Sequence, residues 1–286
     1  MSAPPVHDYC RSFLFERLDI RGAFVQLNEA WRQMLAGRGY PPPVVRLLGE
    51  LTAVTVLIAA NLKQPGRMTF QLSGTGPVSL LLLDCDQQLR LKGMARCTDP
   101  VAPAPVPDLL GHGRLALTLD VAGMRQPYQS LVPLDGDSIA AIFEHYLARS
   151  EQQPALLALA ASEQAASGLF LQKLPGADAR DPDGWNRLSL LARTLQPDEL
   201  LRLPTIQLLT RLFPEEDIRV YDPRPVRYHC PRDWDKVRHM LRSLGRSECE
   251  AILHEQGQIH IHDEVCNQDY VLDAGEVAAL FAPGDG

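Results

Sequence analysis

The sequence predicts an α+β fold in three parts: a body of strands and helices, a helical linker and a small C-terminal module. In the body, apolar and polar residues alternate over short stretches, which is the period of half-buried strands. Helical spacing interrupts these stretches without strict strand–helix alternation, and this order favours α+β over α/β. The composition then shifts sharply towards histidine and acidic residues near residue 227. We place the three parts at residues 1–176, 177–226 and 227–286.

The first half of the body is predicted to contain short strands followed by helices. Residues 9–27 alternate in polarity and predict two strands, and Leu27–Arg38 predicts a helix. Pro42–Leu62 predicts a second helix, because prolines fit a first turn, where a missing backbone N–H costs nothing. This helix is apolar on nearly every side, so we expect it to be buried between layers.

The rest of the body changes to a period of two residues. Gly74–Pro77 is predicted to be a turn, because it lacks the third glycine and the following helix of a nucleotide-binding loop. Asp137 or Ser138 can cap the helix predicted at Ile139–Leu147. The predicted strands lie at Met68–Leu72, Val78–Leu83, Leu89–Arg96, Arg114–Val121 and Tyr128–Val132, with a closing hairpin of Leu156–Ala161 and Gly168–Leu174.

A polar stretch at Gly176–Gly184 predicts a loop that leads into an apolar helical segment. Trp185–Phe213 carries 13 large apolar residues in 29 positions, at helical spacing and interrupted by Pro204. Burial of a large apolar side chain is worth roughly 1.5–3 kcal/mol, so this segment must be covered. It either packs on the body or offers a surface to apolar partners.

The C-terminal module is predicted to be a small mixed unit with its own charge. From Tyr228 onwards there are five lysines and arginines and eleven aspartates and glutamates, and five of the eight histidines also lie here. The predicted elements are helices at Trp234–Leu244, Ser247–Gln256 and Ala274–Phe281, and a strand pair at Gln258–Ile261 and Tyr270–Leu272.

Charge and hydropathy exclude several classes of protein. The net charge of −7 gives no basic surface for nucleic acid or an anionic membrane. No uninterrupted apolar run reaches the roughly 18 residues of a membrane span, and the first residues lack a cationic and then apolar signal region. We therefore expect a cytoplasmic protein, in which thiols are normally kept reduced. The six cysteines are widely spaced and do not resemble a secreted disulfide framework.

Two paired positions in the C-terminal module look like half of a zinc site. Cys230 is followed two residues later by Arg232, and Cys266 is preceded three residues earlier by Asp263. With cysteine at all four positions, Cys-x-Cys and Cys-x-x-Cys would predict a four-thiolate zinc site. Each pair keeps one thiol.

Over nearly its whole length the sequence resembles the heat shock protein 33 family, the redox-regulated holdase chaperones of bacteria. Several motifs in the same order carry this resemblance, which makes it more specific than any single motif. They are Arg21-Gly22, Tyr40-Pro41-Pro42-Pro43-Val44, Gln71-Leu72-Ser73-Gly74-Thr75-Gly76-Pro77, Arg149-Ser150-Glu151-Gln152-Gln153-Pro154, Glu215-Glu216-Asp217-Ile218-Arg219-Val220-Tyr221-Asp222-Pro223 and Ile259-His260-Ile261-His262.

The resemblance implies an N-terminal α+β body, a helical linker that lies over it and a small C-terminal zinc domain. Members of the family bind unfolding proteins without ATP, often as dimers, when oxidation expels zinc and unfolds the C-terminal domain and the linker. The family's zinc ligands fall on Cys230, Arg232, Asp263 and Cys266, so two of the four match. This departure bears on zinc binding and on the thiol switch, and it leaves the body and the linker untouched.

Three interpretations of Cys230 and Cys266 stay open. In the first, both thiolates hold zinc with substitute ligands, although Arg232 places a cation nearby. The candidate substitutes are Asp263, His262 and His229. In the second, the metal is lost and the thiols are close enough to form a redox-active disulfide, which would stabilise the module rather than unfold it. In the third, both are ordinary buried thiols. The cysteines predicted to be packing residues are Cys10, Cys85, Cys97 and Cys249.

Without zinc the module would depend on a small apolar core, because structural zinc can supply on the order of 10 kcal/mol to such a domain. We expect a marginally stable module that melts on heating and frees the linker, so that heat replaces oxidant as the trigger. Zinc is left open as a cofactor and no nucleotide is expected. The predicted partners are unfolded client proteins and, in the active state, a second copy of the chain. The residues predicted to contact clients are Trp185, Leu188, Leu191, Leu195, Leu201 and Leu212.

The predicted function is that of an ATP-independent holdase chaperone, not an enzyme, which binds unfolding proteins under heat or oxidative stress and prevents their aggregation. Redox control is expected to be weakened, and a holdase controlled by heat alone is the nearest alternative. The alternative from another class is a metal-dependent enzyme that uses His260, His262 and Asp263. That alternative lacks the distant carboxylate and histidine partners that the His-x-His strands of metal hydrolases have.

Overall fold

The computed structural model describes residues 8–62, 64, 66–98, 100–121, 123–124, 126–150 and 152–282. The first seven residues, for which the sequence predicts no signal region, and Glu151 of one family motif lie outside the described residues. The chain divides into two compact units, Met1–His229 and Cys230–Gly286. The predicted body and linker both fall in the first unit, and the division into three functional parts stays a prediction.

The first unit contains strands and helices whose bounds follow the predicted pattern closely. Its first half consists of β1 (Tyr9–Phe15), β2 (Ile20–Leu27), α1 (Glu29–Leu35), α2 (Pro42–Ala60), β3 (Gly66–Ser73), β4 (Val78–Asp86) and β5 (Arg90–Cys97). Its second half consists of α3 (Val106–Leu110), β6 (Arg114–Val121), β7 (Tyr128–Val132), α4 (Ile139–Ser150), β8 (Ala155–Ala161), β9 (Ala166–Lys173), α5 (Ala177–Arg180), α6 (Gly184–Ala192), α7 (Pro197–Arg202), α8 (Thr205–Leu212), β10 (Ile218–Val220), β11 (Arg224–Pro225) and β12 (Arg227–Tyr228). The sequence prediction missed α3, α5 and β10–β12, because these elements are too short to show a period.

Two sheets organise the first unit. One has the strand order β10-β1-β2-β9-β8, with β11 also paired to β1, and the other has the order β12-β5-β4-β3-β6-β7. In the first sheet Phe13 of β1 lies opposite Gly22 of β2. A Cβ atom at Gly22 would overlap the Phe13 ring, so packing accounts for the glycine in the Arg21-Gly22 motif.

Helix α2 fills the space between the two sheets. It contacts β8 and β9 of the first sheet and β4 of the second, and most of its side chains are buried. By length and composition it would also be able to cross a membrane, because Arg46 and Glu50 are its only interruptions by charge, but its burial is that of a core helix. The prediction that this helix lies between layers is confirmed.

The first sheet has apolar side chains on both of its faces. Along β2, Ala23 and Val25 belong to the large cluster around α2, whereas Phe24 belongs to a second cluster on the opposite face. This division follows from the period of two in a strand, where successive side chains point to opposite faces. Helices α6, α7 and α8 contribute the other side of the second cluster.

The second unit contains α9 (Trp234–Leu244), α10 (Arg246–Gln256), β13 (Ile259–Asp263), β14 (Gln268–Leu272) and α11 (Ala274–Leu280). Strands β13 and β14 form an antiparallel hairpin in which Ile261 lies opposite Tyr270. Asp233 and Asp273 accept hydrogen bonds from the first turns of α9 and α11, as N-cap residues do. The buried core of the unit consists of Val237, Leu241, Cys249, Ile259, Tyr270, Leu272 and Val277. The elements predicted for this part of the chain are confirmed.

Candidate functional site

Helices α6, α7 and α8, called the linker helices from here on, cover one face of the first sheet with their own apolar sides. In α8, Leu208, Leu209 and Leu212 are buried, whereas Ile206 on the other side is 50% exposed. Phe15 of β1 meets Phe213 edge to face, with ring centroids 5.1 Å apart. The buried residues of this layer, called the linker cluster, are Phe13, Phe15, Leu18, Ile20, Phe24, Leu156, Ala160, Leu169, Leu171, Ala177, Leu188, Ala192, Leu200, Leu208, Leu209, Leu212 and Phe213.

The residues predicted to contact clients lie in the linker cluster or against it. Leu188 and Leu212 are members of the cluster. The others pack against it in partly buried positions, namely Trp185, Leu191, Leu195 and Leu201. The sequence prediction left out Leu200, Leu208 and Leu209 of α7 and α8 and Phe213 directly after α8, which are further large members of the cluster. Their helical spacing after Pro197 could have identified them. The role of all these residues towards clients stays a prediction.

A polar contact fixes the junction between α7 and α8. The Tyr9 hydroxyl accepts hydrogen bonds from Thr205 N at 3.3 Å and Thr205 Oγ1 at 3.1 Å, and it donates to Gln26 Oε1 at 3.1 Å. Gln26 Nε2 in turn donates to the carbonyl oxygen of Leu201 at 3.3 Å. Tyr9 therefore ties β1 and β2 to the linker helices at one point.

Arg187 links α6 to the segment that follows the linker helices. Its Nη2 atom lies 3.0 Å from Asp181 Oδ2 and 3.0 Å from Glu216 Oε1. Its side chain is 38% exposed, and ion pairs with this much solvent contribute little to stability. Burial of apolar surface is therefore the main force that holds the linker helices on the sheet.

A cavity lies where the linker helices approach β8 and α2. Its lining includes Glu50 of α2, Leu156–Leu159 of β8, and Arg193, Pro197 and Leu200 from the linker helices and the turn between them. Burial raises the pKa of Glu50 to about 7, and the positive charge of Arg46 opposes this effect only in part. The sequence prediction missed Glu50, although a single acidic residue in an otherwise apolar helix was a visible signal.

Glu144 of α4 is a second half-buried acid near the same strand. Leu157 N donates to Glu144 Oε1 at 2.7 Å. Burial raises the pKa of Glu144, and the Leu157 N–H and the charges of Arg193 and His145 act in the opposite direction. The charged residues in the described lining of the cavity are therefore Glu50 and Arg193. Arg46 acts on Glu50, and Glu144 interacts with Arg193, from outside this lining.

In the second unit, a disulfide bond joins Cys230 to Cys266. Their Cα atoms are 5.5 Å apart, and 36 positions separate them in the sequence. Cys230 precedes α9, whereas Cys266 lies in the turn between β13 and β14. The structure therefore brings the two thiols together, and their roles in redox control and metal binding stay predictions.

The two residues that stand at the missing zinc-ligand positions make contacts of their own. Arg232 Nη1 donates to the carbonyl oxygen of Asp269 at 2.8 Å, and its guanidinium lies 5.4 Å from the centre of the Tyr270 ring. Asp263 Oδ1 accepts hydrogen bonds from Val265 N at 2.9 Å and Cys266 N at 3.2 Å. Both side chains therefore hold the β13–β14 hairpin by hydrogen bonds.

The candidate substitute ligands make other contacts in this structure. His262 Nδ1 lies 2.8 Å from Asp269 Oδ1, and the backbone N–H of His229, in the first unit, donates to Leu91 O at 2.9 Å. Among the residues that the structure describes, no three His, Cys, Asp or Glu side chains are grouped so that they could hold a metal ion. A structural zinc ion needs four ligands, and in this arrangement the side chains do not supply them.

The remaining cysteines are placed as packing residues. Cys10, Cys85 and Cys249 are buried, and Cys97 is half-buried. Burial raises the pKa of Cys10 to about 12 and raises that of Cys85 as well. Because the thiolate is the reactive form, burial lowers the reactivity of these two thiols.

Comparisons with known proteins place the chain in a class. Two curated relatives are each named 33 kDa chaperonin. The protein of Methylobacillus flagellatus is 38% identical over 278 residues, which cover 96% of this chain and 95% of the relative. The protein of Nitrosococcus oceani is 40% identical over 274 residues, which cover 96% of this chain and 94% of the relative. The names of these relatives place the chain among the chaperones. Its fold, with a sheet whose second apolar face is covered by short helices, agrees with this class.

The assignment to a family rests on a match over nearly the whole chain. The family model described as Hsp33 protein matches residues 8–273. The crystal structure of the 33 kDa chaperonin from Thermotoga maritima has the same fold, with a TM-score of 0.80 and 20% sequence identity over 96% of this chain and 97% of that one. The chain belongs to the Hsp33 family, and the predicted α+β fold is confirmed.

Proposed function

We propose that this chain is an ATP-independent holdase, which binds unfolding proteins through surfaces that the linker helices normally cover. The observation that carries the proposal is the linker cluster, in which a sheet face and α6, α7 and α8 hide their apolar sides from water. Release of the helices exposes both sides of this layer. Unfolding clients present apolar surface of the same kind, so association removes both from water. The names of the curated relatives support the proposal.

The length of the linker helices suits a reversible release. Helices α6, α7 and α8 contain 9, 6 and 8 residues. Isolated helices shorter than roughly 12–15 residues are marginal in water, so these helices depend on burial against the sheet. The cluster around α2 lies on the opposite face of the same sheet and does not include the linker helices. The body can therefore stay folded while the linker helices are released.

The Gly74–Pro77 turn is a structural turn and not a phosphate-binding loop. Gly76 N donates to the carbonyl oxygen of Leu110 at 2.8 Å, and Thr75 Oγ1 accepts a hydrogen bond from His112 N at 3.1 Å. A phosphate-binding loop must turn such backbone groups towards its ligand. Here these groups join the turn to the end of α3 instead.

Heat is the proposed primary trigger, with oxidative stress as a condition under which clients also unfold. The C-terminal unit has a small buried core and no assembled zinc ligands among its described residues. Such a unit is only moderately stable, so we expect it to unfold first on heating. The proposed setting is the cytoplasm, and the proposed active form is a homodimer, both as the family resemblance implies.

The test is light scattering of a heat-denatured client without ATP, with and without hydrogen peroxide and with and without a chelator. Suppression of scattering at elevated temperature without oxidant or added metal is the expected result. Suppression that requires peroxide would assign control to the thiols rather than to heat. No suppression under any of these conditions would contradict the holdase proposal.

The location of the client is tested by placing a photo-crosslinking side chain at Leu191 or at Leu131. Leu191 packs against the linker cluster, whereas Leu131 is 59% exposed on β7 and serves as the matched control. Capture of client at Leu191 only above the activation temperature is expected. Equal capture at both positions at all temperatures would contradict a role for the covered surface.

A further inference from the structure

The C-terminal unit has a cross-link at the place where the family resemblance puts a metal. Cys230 enters from the segment before α9, and Cys266 enters from the β13–β14 turn. With Cα atoms 5.5 Å apart, the two residues lie within the roughly 4.4–6.8 Å that a disulfide requires. The bond therefore connects the first residue of the unit to its hairpin without the two missing thiols.

Hydrogen bonds reinforce the same connection on both sides. Gln268 Nε2 of β14 donates to the carbonyl oxygen of Cys230 at 2.7 Å, and Asp233 N donates to the Tyr270 hydroxyl at 2.9 Å. Trp234 packs edge to face on Tyr270, with ring centroids 4.9 Å apart. Arg232 and Asp263 add the contacts described above. The segment before α9 is therefore fitted to the hairpin in the geometry that the disulfide closes.

We propose that the Cys230–Cys266 disulfide replaces a metal as the cross-link of the C-terminal unit, so that oxidation tightens this unit and reduction loosens it. The physical reason is that a bond between residues 36 positions apart removes conformational entropy from the unfolded chain. A bond that fits the folded geometry leaves the folded state unchanged and raises its relative stability. Any effect of this cross-link on the linker helices rests on the holdase proposal. Its effect on the stability of the C-terminal unit does not.

The chemistry needs a peroxide or a disulfide as the oxidant. With hydrogen peroxide, the thiolate of one cysteine attacks a peroxide oxygen, the O–O bond breaks and the sulfur becomes a sulfenic acid. The hydroxide that leaves takes up the proton that the thiol had released and becomes water. The second thiol then attacks the sulfenic sulfur and releases water. Two thiols and one hydrogen peroxide thus give one disulfide and two waters. A dithiol reverses the step through a mixed disulfide and is itself oxidised.

The test is hydrogen–deuterium exchange of the full chain, followed in peptides that span residues 259–272. One sample is oxidised with hydrogen peroxide and the other is reduced with a dithiol, and each reagent is removed before exchange. A disulfide of this kind typically shifts the opening equilibrium by roughly 30- to 700-fold, and slower exchange in the oxidised sample by a factor in this range is expected. Peptides from residues 66–73 of β3 report on the body and should exchange equally in both samples.

Variants separate this cross-link from other effects of peroxide. In both samples the double variant Cys230→Ser/Cys266→Ser should exchange as fast as the unchanged chain does after treatment with the dithiol. The variant Cys97→Ser should respond to oxidation as the unchanged chain does. If the double variant fails to fold, the comparison of oxidised and reduced unchanged chain still decides the question. Mass mapping of the oxidised chain should find the Cys230–Cys266 linkage.

Three results would overturn the proposal. They are equal or faster exchange in the oxidised sample, a linkage that involves Cys249 instead, and a reduced chain that retains one zinc per molecule and loses protection when a chelator removes it. The aggregation assay on the same two samples is read separately. Slower exchange without any suppression of aggregation would support this cross-link and contradict the holdase function.

Discussion

Replacement of Glu50 by glutamine should make the linker helices harder to release at neutral and alkaline pH. Glu50 lines the cavity between α2, β8 and the linker helices, and burial raises the pKa of its carboxyl to about 7. Above that pH the covered state holds a negative charge away from bulk water. Glutamine has nearly the same shape and carries no charge, so the variant Glu50→Gln removes this destabilising contribution.

The magnitude follows from the two pKa values. The pKa of Glu50 is about 7 in the folded chain against 4.5 for an ordinary glutamate. Each difference of one in pKa corresponds to about 1.4 kcal/mol, so above pH 7 the charge destabilises the folded chain by at most about 3 kcal/mol relative to the unfolded chain, and release of the linker helices recovers the part of this that their cover causes. Because the pKa is raised in the folded state, the full stability is present below pH 4.5 and is lost as the pH rises to about 7. Above this pH the contribution of Glu50 to stability no longer changes.

The assay is hydrogen exchange as a function of temperature, carried out between pH 5.5 and 8.5. Its readout is the temperature at which peptides from residues 185–212 lose protection. The unchanged chain should release the linker helices at progressively lower temperature up to about pH 7. Glu50→Gln should raise the release temperature by several degrees at pH 8 and reduce the pH dependence, while the raised pKa of Glu144 keeps a part of it. The control Glu163→Gln changes an exposed carboxyl between β8 and β9 and should keep the slope of the unchanged chain. Equal slopes for Glu50→Gln and the unchanged chain would refute the reasoning.

Three further predictions concern the polar contacts and the metal. Tyr9→Phe removes the hydroxyl that ties β1 to the linker helices and should destabilise their covered state by about 1 kcal/mol in the same exchange assay, whereas Tyr128→Phe, exposed on β7, should have no effect. Asp263→Ala leaves two N–H groups of the hairpin turn without their acceptor and should destabilise the β13–β14 hairpin by about 1–2 kcal/mol, with the exposed Glu255→Gln as control. A chelator should leave the thermal midpoint of the oxidised C-terminal unit unchanged, and a fall in this midpoint would contradict the cross-link as a replacement for metal.

Local patterns in the sequence determined much of the fold in advance. The period of two identified β1–β9, and the apolar composition of Pro42–Ala60 identified the helix that lies between the sheets. The order of the strands within each sheet was out of reach, because pairs such as β2 with β9 join residues about 150 positions apart. β10–β12 are two or three residues long and form only because longer strands offer them an edge.

The candidate site was predictable to a different degree in each unit. Helical spacing placed Leu188 and Leu212 on the apolar side of the linker helices, and the family resemblance placed Cys230 and Cys266 near one another. Spacing could not choose between a metal and a disulfide, because both require the same closeness. The cavity at Glu50 depends on three elements that are distant in sequence, so only the structure could assign its raised pKa.

The two apolar faces of the first sheet give the same strands two different mutational sensitivities. Substitutions at Ala23 or Val25 affect the layer around α2 and should reduce the yield of folded protein at every temperature. Substitutions at the neighbouring Phe24 affect the layer under the linker helices and should instead displace the temperature at which that layer opens. Adjacent positions in one strand would then fall into separate phenotypic classes. A screen for altered activation temperature should recover alternate residues of β1 and β2 and pass over those between them.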